Sequence, residues 1–311
     1  MFFKLTAADK TDVGKQREQN EDCAYKRVES STDGDRGLFI VADGMGGYKA
    51  GEIASQLAIE TISQKLDGFF KPIADQPTMR LSLSELDPDK TLTLPPSSSN
   101  PASDGDDDET VPLSTVQKAN LHKTRKLTET PMTRAIEKQL RSAIEHANNV
   151  IIRYGERQTA ARGLGSTVTL MLVSNDQAYI ANVGDSRTYL LRNNTLKSLT
   201  KDHSLVWRLV ENKQISEDDV YTHPQRNLIY RSLGAGHRNI EVDIFYETLR
   251  PGDTFLLCSD GLWEMVRRED LRKTLSESAS PQKICENLIA QANDGGGEDN
   301  ITAVVVHVST L

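Results

Sequence analysis

A long polar segment interrupts this chain and limits how much of it can form a packed core. The segment Pro72–Pro131 contains eight of the eleven prolines, and the stretch Ser84–Pro112 within it carries eight acidic residues against one base, Lys90. That stretch has a charge of −7, whereas the whole chain has −8. Such a composition cannot bury enough apolar surface to fold. We therefore interpret residues 72–131 as a disordered insertion in a single domain formed by residues 1–311.

The rest of the chain, 251 of the 311 residues, has the size of one large domain. Outside Ser84–Pro112 the net charge is only −1, so no basic face is expected. Without a basic face, it is not expected to bind nucleic acid. It contains no apolar run of about 18 residues, and its first residues lack the apolar core of a secretion signal. Its three cysteines lack Cys-x-x-Cys spacing, which favours neither a disulfide framework nor structural zinc. We expect a cytoplasmic monomer that makes no membrane contact.

Apolar residues at helical spacing predict one helix on each side of the insertion. The stripe before the insertion consists of Ile53, Leu57, Ile62 and Leu66. The stripe after it consists of Ile136, Leu140, Ile144, Ala147 and Ile151. Thr130 and Pro131 are typical of an N-cap and a first helical position. The insertion is therefore expected to join two antiparallel helices.

Short runs rich in Val, Ile and Leu predict strands, many of them neighbours in sequence. These runs are Phe39–Ala42, Thr167–Val173, Ala178–Val183, Thr188–Arg192, Thr254–Cys258 and Ile301–Val308. The pair Asn193-Asn194 between two of them is typical of a hairpin turn. Neighbouring strands with helices grouped elsewhere favour an α+β fold built on an antiparallel β-sandwich.

Two of the predicted strands end in the same pair of residues, Asp43-Gly44 and Asp260-Gly261. A buried strand fixes the position of a carboxylate at its end, and glycine lets a ligand approach the backbone. Further carboxylates occur at Asp22 and Asp299, close to other strands. Oxygen ligands without accompanying His or Cys favour Mg²⁺ or Mn²⁺. Each Asp-Gly pair by itself is equally typical of an ordinary turn.

Seven motifs occur in an order that resembles one family. They are Gly14-Lys15-Gln16-Arg17-Glu18-Gln19-Asn20-Glu21-Asp22, Ala42-Asp43-Gly44-Met45-Gly46-Gly47, Gly165-Ser166-Thr167, Asn182-Val183-Gly184-Asp185-Ser186-Arg187, Thr200-Lys201-Asp202-His203-Ser204, Ser259-Asp260-Gly261-Leu262 and Glu298-Asp299-Asn300-Ile301-Thr302. The set is similar to that of the bacterial metal-dependent serine/threonine phosphatases, the PPM or type 2C family. The resemblance implies a central antiparallel β-sandwich flanked by helices, with a centre for two Mn²⁺ or Mg²⁺ ions at one end.

The same resemblance implies roles for individual residues. It implies that Asp43 bridges both ions, and that Asp260 and Asp299 hold one of them. The other ion would be held by the Gly44 carbonyl and Asp22, and Glu21 would be a ligand or support one. Arg17 would bind the substrate phosphate. Without the resemblance, Arg17 could equally form a surface ion pair with Glu18 or Glu21.

Two departures from the family pattern concern protons and metal. Met45 stands where animal members carry a histidine proposed as general acid, and a thioether cannot donate a proton. Some members bind a third ion through an acid shortly before the Gly165 motif, whereas residues 160–164 contain no carboxylate. Glu156 is the nearest acid, so a third ion is not expected.

Two other motifs are interpreted as parts of the framework around the site, and a third segment as a flap beside it. Asp185, Ser186 and Arg187 are expected to support the site, since Gly-Asp-Ser between strands is also a turn signal. Adjacent residues cannot form a Ser-His-Asp triad, so His203 is expected to make local hydrogen bonds. The segment Trp207–Asn227 occupies the place of the family's variable flap.

The predicted function is hydrolysis of phosphoserine and phosphothreonine in proteins, opposing a bacterial serine/threonine kinase or acting on its targets. Water activated between two ions would be the nucleophile. The alternatives are a catalytically silent module that binds phosphoproteins, and a two-metal hydrolase of small phosphoesters. The insertion is either a tolerated surface loop or an acidic tether for a basic partner, with Ser97, Ser98 and Ser99 as candidates for modification.

Overall fold

A computed structural model describes residues 2–46, 50–70, 130–158, 163–235 and 238–311. The strands in these ranges are β1 Phe3–Asp12, β2 Asp22–Glu29, β3 Arg36–Met45, β4 Gly165–Ser166, β5 Val168–Ser174, β6 Gln177–Val183, β7 Arg187–Arg192, β8 Thr195–Ser198, β9 Leu233–Gly234, β10 Asp243–Thr248, β11 Thr254–Cys258 and β12 Ile301–Thr310. The α-helices are α1 Ala50–Leu66, α2 Pro131–Arg157, α3 Leu205–Glu211, α4 Asp260–Trp263, α5 Arg268–Leu275 and α6 Pro281–Asp294. Short 3-10 helices cover Asp67–Phe70 and Asp218–Thr222.

The described strands form two antiparallel sheets. The first has the order β1-β12-β11-β7-β8. The second has the order β10-β6-β5-β3-β4-β9, and β2 pairs with the other edge of β3. The predicted α+β sandwich is thus confirmed. Most of the predicted insertion lies outside the described residues, so its interpretation as a disordered loop stays a prediction.

Alternation along β3 shows how one strand serves two cores, because successive side chains of a strand point to opposite faces. Leu38 and Ile40 pack with residues of α1 and α2. Phe39 and Val41 pack with Phe255 and other residues of the first sheet. On the outer face of that first sheet, side chains of β11 and β12 pack with α5 and α6. The result is four layers, with helices outside both sheets.

The helices beside the insertion largely follow their predicted stripes. The α2 helix begins at Pro131, and all five apolar residues of its predicted stripe are buried. On α1, Ile62 and Leu66 are buried, but Ile53 and Leu57 are only partly covered. The buried face of α1 begins with small residues, Ala54 and Ala58 among them, which allow the helix to lie close to the sheet. All four residues of the predicted stripe thus contact the core, although the most buried face of α1 also includes small residues.

The other predictions of local structure differ from the fold mainly at strand ends. Asn193 and Asn194 have φ angles of 50° and 59° between the paired strands β7 and β8, which confirms the hairpin turn. Strand β1 was not predicted, although buried Phe3 and Leu5 alternate with exposed Lys4 and Thr6 as in a half-buried strand. In the described residues, no helix combines the length and the apolar character needed to cross a membrane.

Candidate metal centre

Strands β2 and β3 place two of the predicted ligands side by side. In their antiparallel register, Asp22 at the start of β2 is paired with Asp43 near the end of β3. The backbone of Asp43 is fixed on its other side, since its carbonyl accepts hydrogen bonds from Thr167 N (2.8 Å) and Ser166 Oγ (3.0 Å). The neighbouring motif Gly165-Ser166-Thr167 therefore holds the end of β3 in place.

The other sheet supplies Asp260 and Asp299 from two neighbouring strands. Asp260 is the first residue of α4 and lies two residues after the end of β11, with Ser259 between them. Asp299 lies two residues before β12, which pairs with β11. The amide of Ser259 donates to the carbonyl of Thr302 (3.2 Å), so the two segments leave the sheet together. Both carboxylates thus come from one end of the first sheet.

A buried serine connects the two sheets at this end. The hydroxyl of Ser259 donates to Asp22 Oδ2 at 2.6 Å and accepts from the amide of Thr302 at 3.0 Å. Ser259 is fully buried, and Asp22 is 8% exposed. This contact fixes the side chain of Asp22, from the second sheet, against the strands that carry Asp260 and Asp299.

Burial and mutual repulsion disfavour ionisation of these carboxyl groups in the absence of a cation. Burial raises the pKa of Asp22 to about 6. Burial, followed by repulsion from Asp260 and Asp22, raises the pKa of Asp43 well above its ordinary value. The pKa of Asp260 is raised well above its ordinary value by burial and then by repulsion from Asp185. Concentrated, uncompensated negative charge of this kind attracts cations.

Two oxygen atoms at the centre have no hydrogen-bond partner among the described residues, Asp22 Oδ1 and Asp260 Oδ1. A buried carboxylate oxygen without a partner is costly unless a proton or a metal ion compensates it. Within the same residues, no three Asp, Glu, His or Cys side chains form a closed set around one ion. Mg²⁺ commonly uses one or two carboxylates and keeps several waters. The donor set therefore fits Mg²⁺ or Mn²⁺ with water ligands.

Gly44 cannot be replaced by a larger residue without moving backbone. A Cβ atom at Gly44 would lie 2.0 Å from the Gly51 carbonyl oxygen and 2.6 Å from that of Glu21. The amide of Gly44 donates to the Glu21 carbonyl (3.1 Å), and the hydroxyl of Ser55 donates to the same oxygen (2.6 Å). The Glu21 carboxylate lies beside Gly51, in the first turn of α1, and burial raises its pKa. Glu21 thus joins α1 to the end of β3.

The predicted phosphate-binding residue stands at the edge of the centre. Arg17 Nη2 donates to Asp299 Oδ2 at 2.7 Å, and the Arg17 side chain is 51% exposed. The ion pair suggested as the alternative, with Glu18 or Glu21, is therefore replaced by one with Asp299. Arg17 lies in the loop between β1 and β2. The side chain of Asn300 holds this loop in place by donating to the carbonyls of Val13 (3.0 Å) and Gln19 (2.9 Å).

Sequence reasoning assigned Asp185 to the framework, but its charge acts on the centre itself. Its carboxyl is 5% exposed, and repulsion between it and Asp43 and Asp260 raises the pKa of both. Burial, then the charge of Asp202, raises the pKa of Asp185 to about 7. A Gly-Asp-Ser sequence between strands also predicts a turn, so spacing alone could not identify this fifth carboxyl group.

The framework next to the centre is closely bonded. The Arg187 guanidinium donates to both oxygens of Asp202, at 2.9 and 2.6 Å, and lies 3.5 Å from the centre of the Trp263 ring. His203 Nδ1 accepts from the amide of Gly184 (3.0 Å), and its other ring nitrogen lies 3.4 Å from Asp243 Oδ2. The expected local hydrogen bonding of His203 is confirmed, whereas the support of the site by Arg187 stays a prediction.

An arginine of the predicted flap reaches the rim of the centre. Arg226 contacts Glu264 at 3.2 Å, just after α4, and Glu298 at 3.1 Å, just before Asp299. Glu156, the nearest acid for a third ion, is exposed and lies 3.5 Å from Arg238. Residues 159–162 lie outside the described part, so the expectation about a third ion stays a prediction.

Comparison with known proteins agrees with this geometry. The sequence profile described as Protein phosphatase 2C matches residues 13–291. The chain belongs to this family. A serine/threonine phosphatase stp of Listeria welshimeri is 34% identical over 302 residues, which are 97% of this chain and 95% of that protein. The family assignment made from the ordered motifs is thus confirmed.

Solved structures of this phosphatase family share the fold. The serine/threonine phosphatase PstP/Ppp of Mycobacterium tuberculosis superposes with a TM-score of 0.68 at 28% identity, over 98% of this chain and 99% of that one. A catalytic domain of PstP in complex with two manganese ions gives a TM-score of 0.66 at 29% identity, over 99% of each chain.

Proposed function

We propose that this chain is a metal-dependent phosphatase that hydrolyses phosphoserine and phosphothreonine in proteins. The observation that carries the proposal is the pair of buried carboxylate oxygens, on Asp22 and Asp260, that have no hydrogen-bond partner among the described residues. They come from different sheets and lie in one cluster of acids. The family membership and the two manganese ions of the related PstP domain support the same activity.

We assign the metal ligands to Asp43, Asp260, Asp299 and Asp22, with the Gly44 carbonyl, and leave Glu21 a supporting role. Two divalent cations bound here would acidify water and offset charge on the phosphoryl group. The chain's own contribution is rigidity. Thr167 and Ser166 hold Asp43, and Ser259 holds Asp22, so the carboxylates do not need to reorganise when a substrate arrives.

Arg17 is assigned to the substrate phosphate. Its guanidinium is half exposed, permanently charged and already positioned by Asp299 at the edge of the acidic cluster. A planar guanidinium can donate two parallel hydrogen bonds to phosphate oxygens. The side chain of Met45 has no proton to donate, so the proton taken up by the leaving oxygen comes from another group.

The first test is phosphate release from a phosphothreonine peptide in the presence of Mn²⁺, Mg²⁺ or chelator. The rate of phosphate release is expected to fall about a hundredfold or more in the Asp43→Asn variant. Even the loss of a residue that only hydrogen-bonds to a metal ligand commonly lowers metal affinity or activity 10- to 100-fold. Asp33→Asn, on an exposed turn, is the matched control and should retain full activity. Calorimetric titration with Mn²⁺ provides a readout apart from turnover. Full activity of Asp43→Asn would contradict the assignment.

Two alternatives give different results in the same assay. A silent phosphoprotein-binding module would bind the peptide without releasing phosphate, although clustered acids without compensation would have no purpose there. A hydrolase of small phosphoesters would prefer para-nitrophenyl phosphate when the two substrates compete. The protein-phosphatase proposal requires the phosphopeptide to be hydrolysed in preference to para-nitrophenyl phosphate when both are present.

We propose phosphoproteins as partners, among them a bacterial serine/threonine kinase or its targets. We also keep the sequence-based expectations of a cytoplasmic monomer that binds neither nucleic acid nor membrane. All three cysteines are free, with Cys258 and Cys285 buried, which suits a reducing compartment.

A further inference from the structure

An open pocket on the surface of the domain lies outside the metal centre. It has a volume of about 520 Å³ and lies between the β7–β8 turn, the 3-10 helix Asp218–Thr222 and the start of α5. Its lining consists of Asn194, Thr195, Leu196, Asp218, Tyr221, Arg267, Arg268, Glu269 and Arg272. Arginine is therefore the commonest residue type in its wall, in a chain whose net charge is negative.

The three arginines of this pocket differ in the number of hydrogen bonds and ion pairs that their side chains form. Arg272 donates two hydrogen bonds to Glu269, at 3.0 and 2.7 Å. Arg268 donates to the carbonyl of Leu196 (2.9 Å) and contacts Glu217 at 3.3 Å. In the part of the chain that the structure describes, Arg267 forms neither an ion pair nor a side-chain hydrogen bond. The donors of Arg267 are thus available to a ligand.

Arg267 is nevertheless held in place. Its guanidinium carbon lies 3.9 Å from the centre of the Tyr221 ring, a cation–π contact that uses none of its N–H donors. A planar group positioned in this way can receive a carboxylate or a phosphate with two parallel hydrogen bonds. The pocket therefore presents one prearranged anion receptor.

The acidic residues of the lining do not cancel this receptor. Glu269 is neutralised by Arg272. Asp218 is the remaining acid of the lining, and among the described residues it has no ion pair. Three bases and two acids give the pocket a charge of +1. A single receptor with one repulsive neighbour suits a side chain of a peptide, whereas nucleic acid requires an extended basic surface.

The pocket adjoins the catalytic framework without sharing its ligands. The ring of Tyr221 packs on that of Trp263, with ring centres 6.3 Å apart. Trp263 lies in α4, the helix that begins with Asp260, and its Nε1 donates to the carbonyl of Asp185 at 3.0 Å. One ring contact thus links the pocket to the helix that begins with Asp260.

We propose that this pocket binds an acidic or phosphorylated side chain of the protein substrate, at a distance from the residue that is dephosphorylated. The inference rests on the proposed phosphatase activity and adds a docking site that selects among phosphoproteins. Arg267 supplies the main contact, and Asp218 limits how much negative charge the site accepts.

The test compares phosphothreonine peptides that carry tails of glutamate, of glutamine, or of glutamine with one non-hydrolysable phosphonate. For the native enzyme, KM is expected to be lower with the glutamate or phosphonate tail than with the glutamine tail, and whichever tail binds better identifies the preferred anion. Arg267→Ala should raise KM for the better tail about fivefold, the upper range for an exposed ion pair. Asp218→Asn should lower KM about twofold. Neither variant should change kcat or the hydrolysis of para-nitrophenyl phosphate.

Arg238→Ala is the matched control, since Arg238 is 82% exposed and its ion pair among the described residues is with Glu156. Equal KM values for all tails, or equal effects of Arg267→Ala and Arg238→Ala, would overturn the docking site. A change in para-nitrophenyl phosphate hydrolysis would show that Arg267 is structural and overturn it as well. If no substrate is hydrolysed with Mn²⁺, the phosphatase proposal fails. Fluorescence anisotropy of the unphosphorylated tailed peptides then still decides whether the pocket binds anions through Arg267.

Discussion

Two sets of buried charges lie close together in this fold, and they are compensated to different degrees. Arg187 and Asp202 are almost completely enclosed, with 9% and 2% of their side chains exposed, and are joined by several hydrogen bonds. Tyr189 and Trp263 complete the surroundings of the guanidinium. In the metal centre, Asp22 and Asp260 each keep one oxygen without a partner among the described residues.

The difference separates a framework from a site. A buried ion pair that is fully bonded specifies one arrangement and needs nothing further. Buried carboxylates without partners are destabilising until a cation arrives, and their energy is part of the affinity for that cation. Both sets meet in one short helix, since α4 contains Asp260 at its start and Trp263 at its end. The Arg187–Asp202 pair, through Trp263, thus holds the helix α4 that presents Asp260 to the metal centre.

The largest effect on stability is expected from breaking the bonded pair. Arg187→Ala leaves Asp202 buried without its partner and removes the cation over Trp263. Removal of one member of a buried pair typically costs about 3–5 kcal/mol. Urea unfolding in the presence of chelator measures this change in the free energy of unfolding.

Arg192→Ala is the matched control for that prediction. Arg192 makes a similar bidentate contact with Asp253, at 2.7 Å for each bond, but is 19% exposed. Water can therefore replace part of the lost contact, and a smaller loss is expected. If both variants lost the same free energy, enclosure would not be what distinguishes the Arg187 pair.

The buried carboxyl groups of the centre predict an unusual pH dependence of stability for the metal-free protein. The pKa of Asp22 is raised from 3.8 to about 6, and that of Asp185 to about 7, so the folded state binds more protons than the unfolded state between these values. The contribution of these two groups to stability is therefore fully present below about pH 4 and is lost as the pH rises through about 6 and 7. The shift of Asp22 alone corresponds to about 3 kcal/mol.

Addition of Mn²⁺ should reverse this trend, because the metal binds the deprotonated carboxylates. Melting temperatures with chelator and with Mn²⁺, at pH 5 and pH 7.5, provide the measurement. We expect the increase produced by Mn²⁺ to be larger at pH 7.5. An equal increase at both values would mean that the titrating groups do not hold the metal.

Most of the fold was predictable because its signals are local. Apolar runs identified the central strands, Pro131 marked the start of α2, and Asn193-Asn194 marked a hairpin. The errors occurred where packing overrides local pattern. The buried face of α1 includes small residues that carry little apolar signal, and β1 is paired with β12 along its whole length.

The site was predictable as a set of carboxylates but not as a network. Motifs identified Asp22, Asp43, Asp260 and Asp299, and the fold brings all four into one region. The role of Ser259 in joining the sheets depends on a contact between residues 237 positions apart, which no local pattern reveals. The participation of Asp185 likewise depends on the approach of two sheets.

A smaller effect is expected from loosening the carboxylate that is partly bonded. Ser259→Ala removes the hydroxyl that donates to Asp22 and accepts from the amide of Thr302. Loss of these bonds is expected to cost about 1–2 kcal/mol in the presence of chelator. Mn²⁺ affinity, measured by calorimetry, should fall about tenfold because Asp22 is no longer held. Ser259→Thr keeps a hydroxyl and should recover part of that affinity if it is accommodated, whereas unchanged affinity in Ser259→Ala would contradict the role assigned to Ser259.

The smallest change in stability is expected to have the opposite sign. Asp260→Asn removes a buried charge that repels Asp43 and Asp185, so the metal-free protein should gain about 1 kcal/mol at pH 8. Activity should nevertheless be lost, since a neutral amide oxygen binds a divalent cation much more weakly than a carboxylate does. Asp202→Asn has the same change in charge but should be destabilising, because Asp202 is bonded to Arg187. If the free energy of unfolding rises in Asp260→Asn and falls in Asp202→Asn, the carboxylates of the centre lower stability and serve to bind cations. If it falls in both variants, Asp260 belongs to the framework.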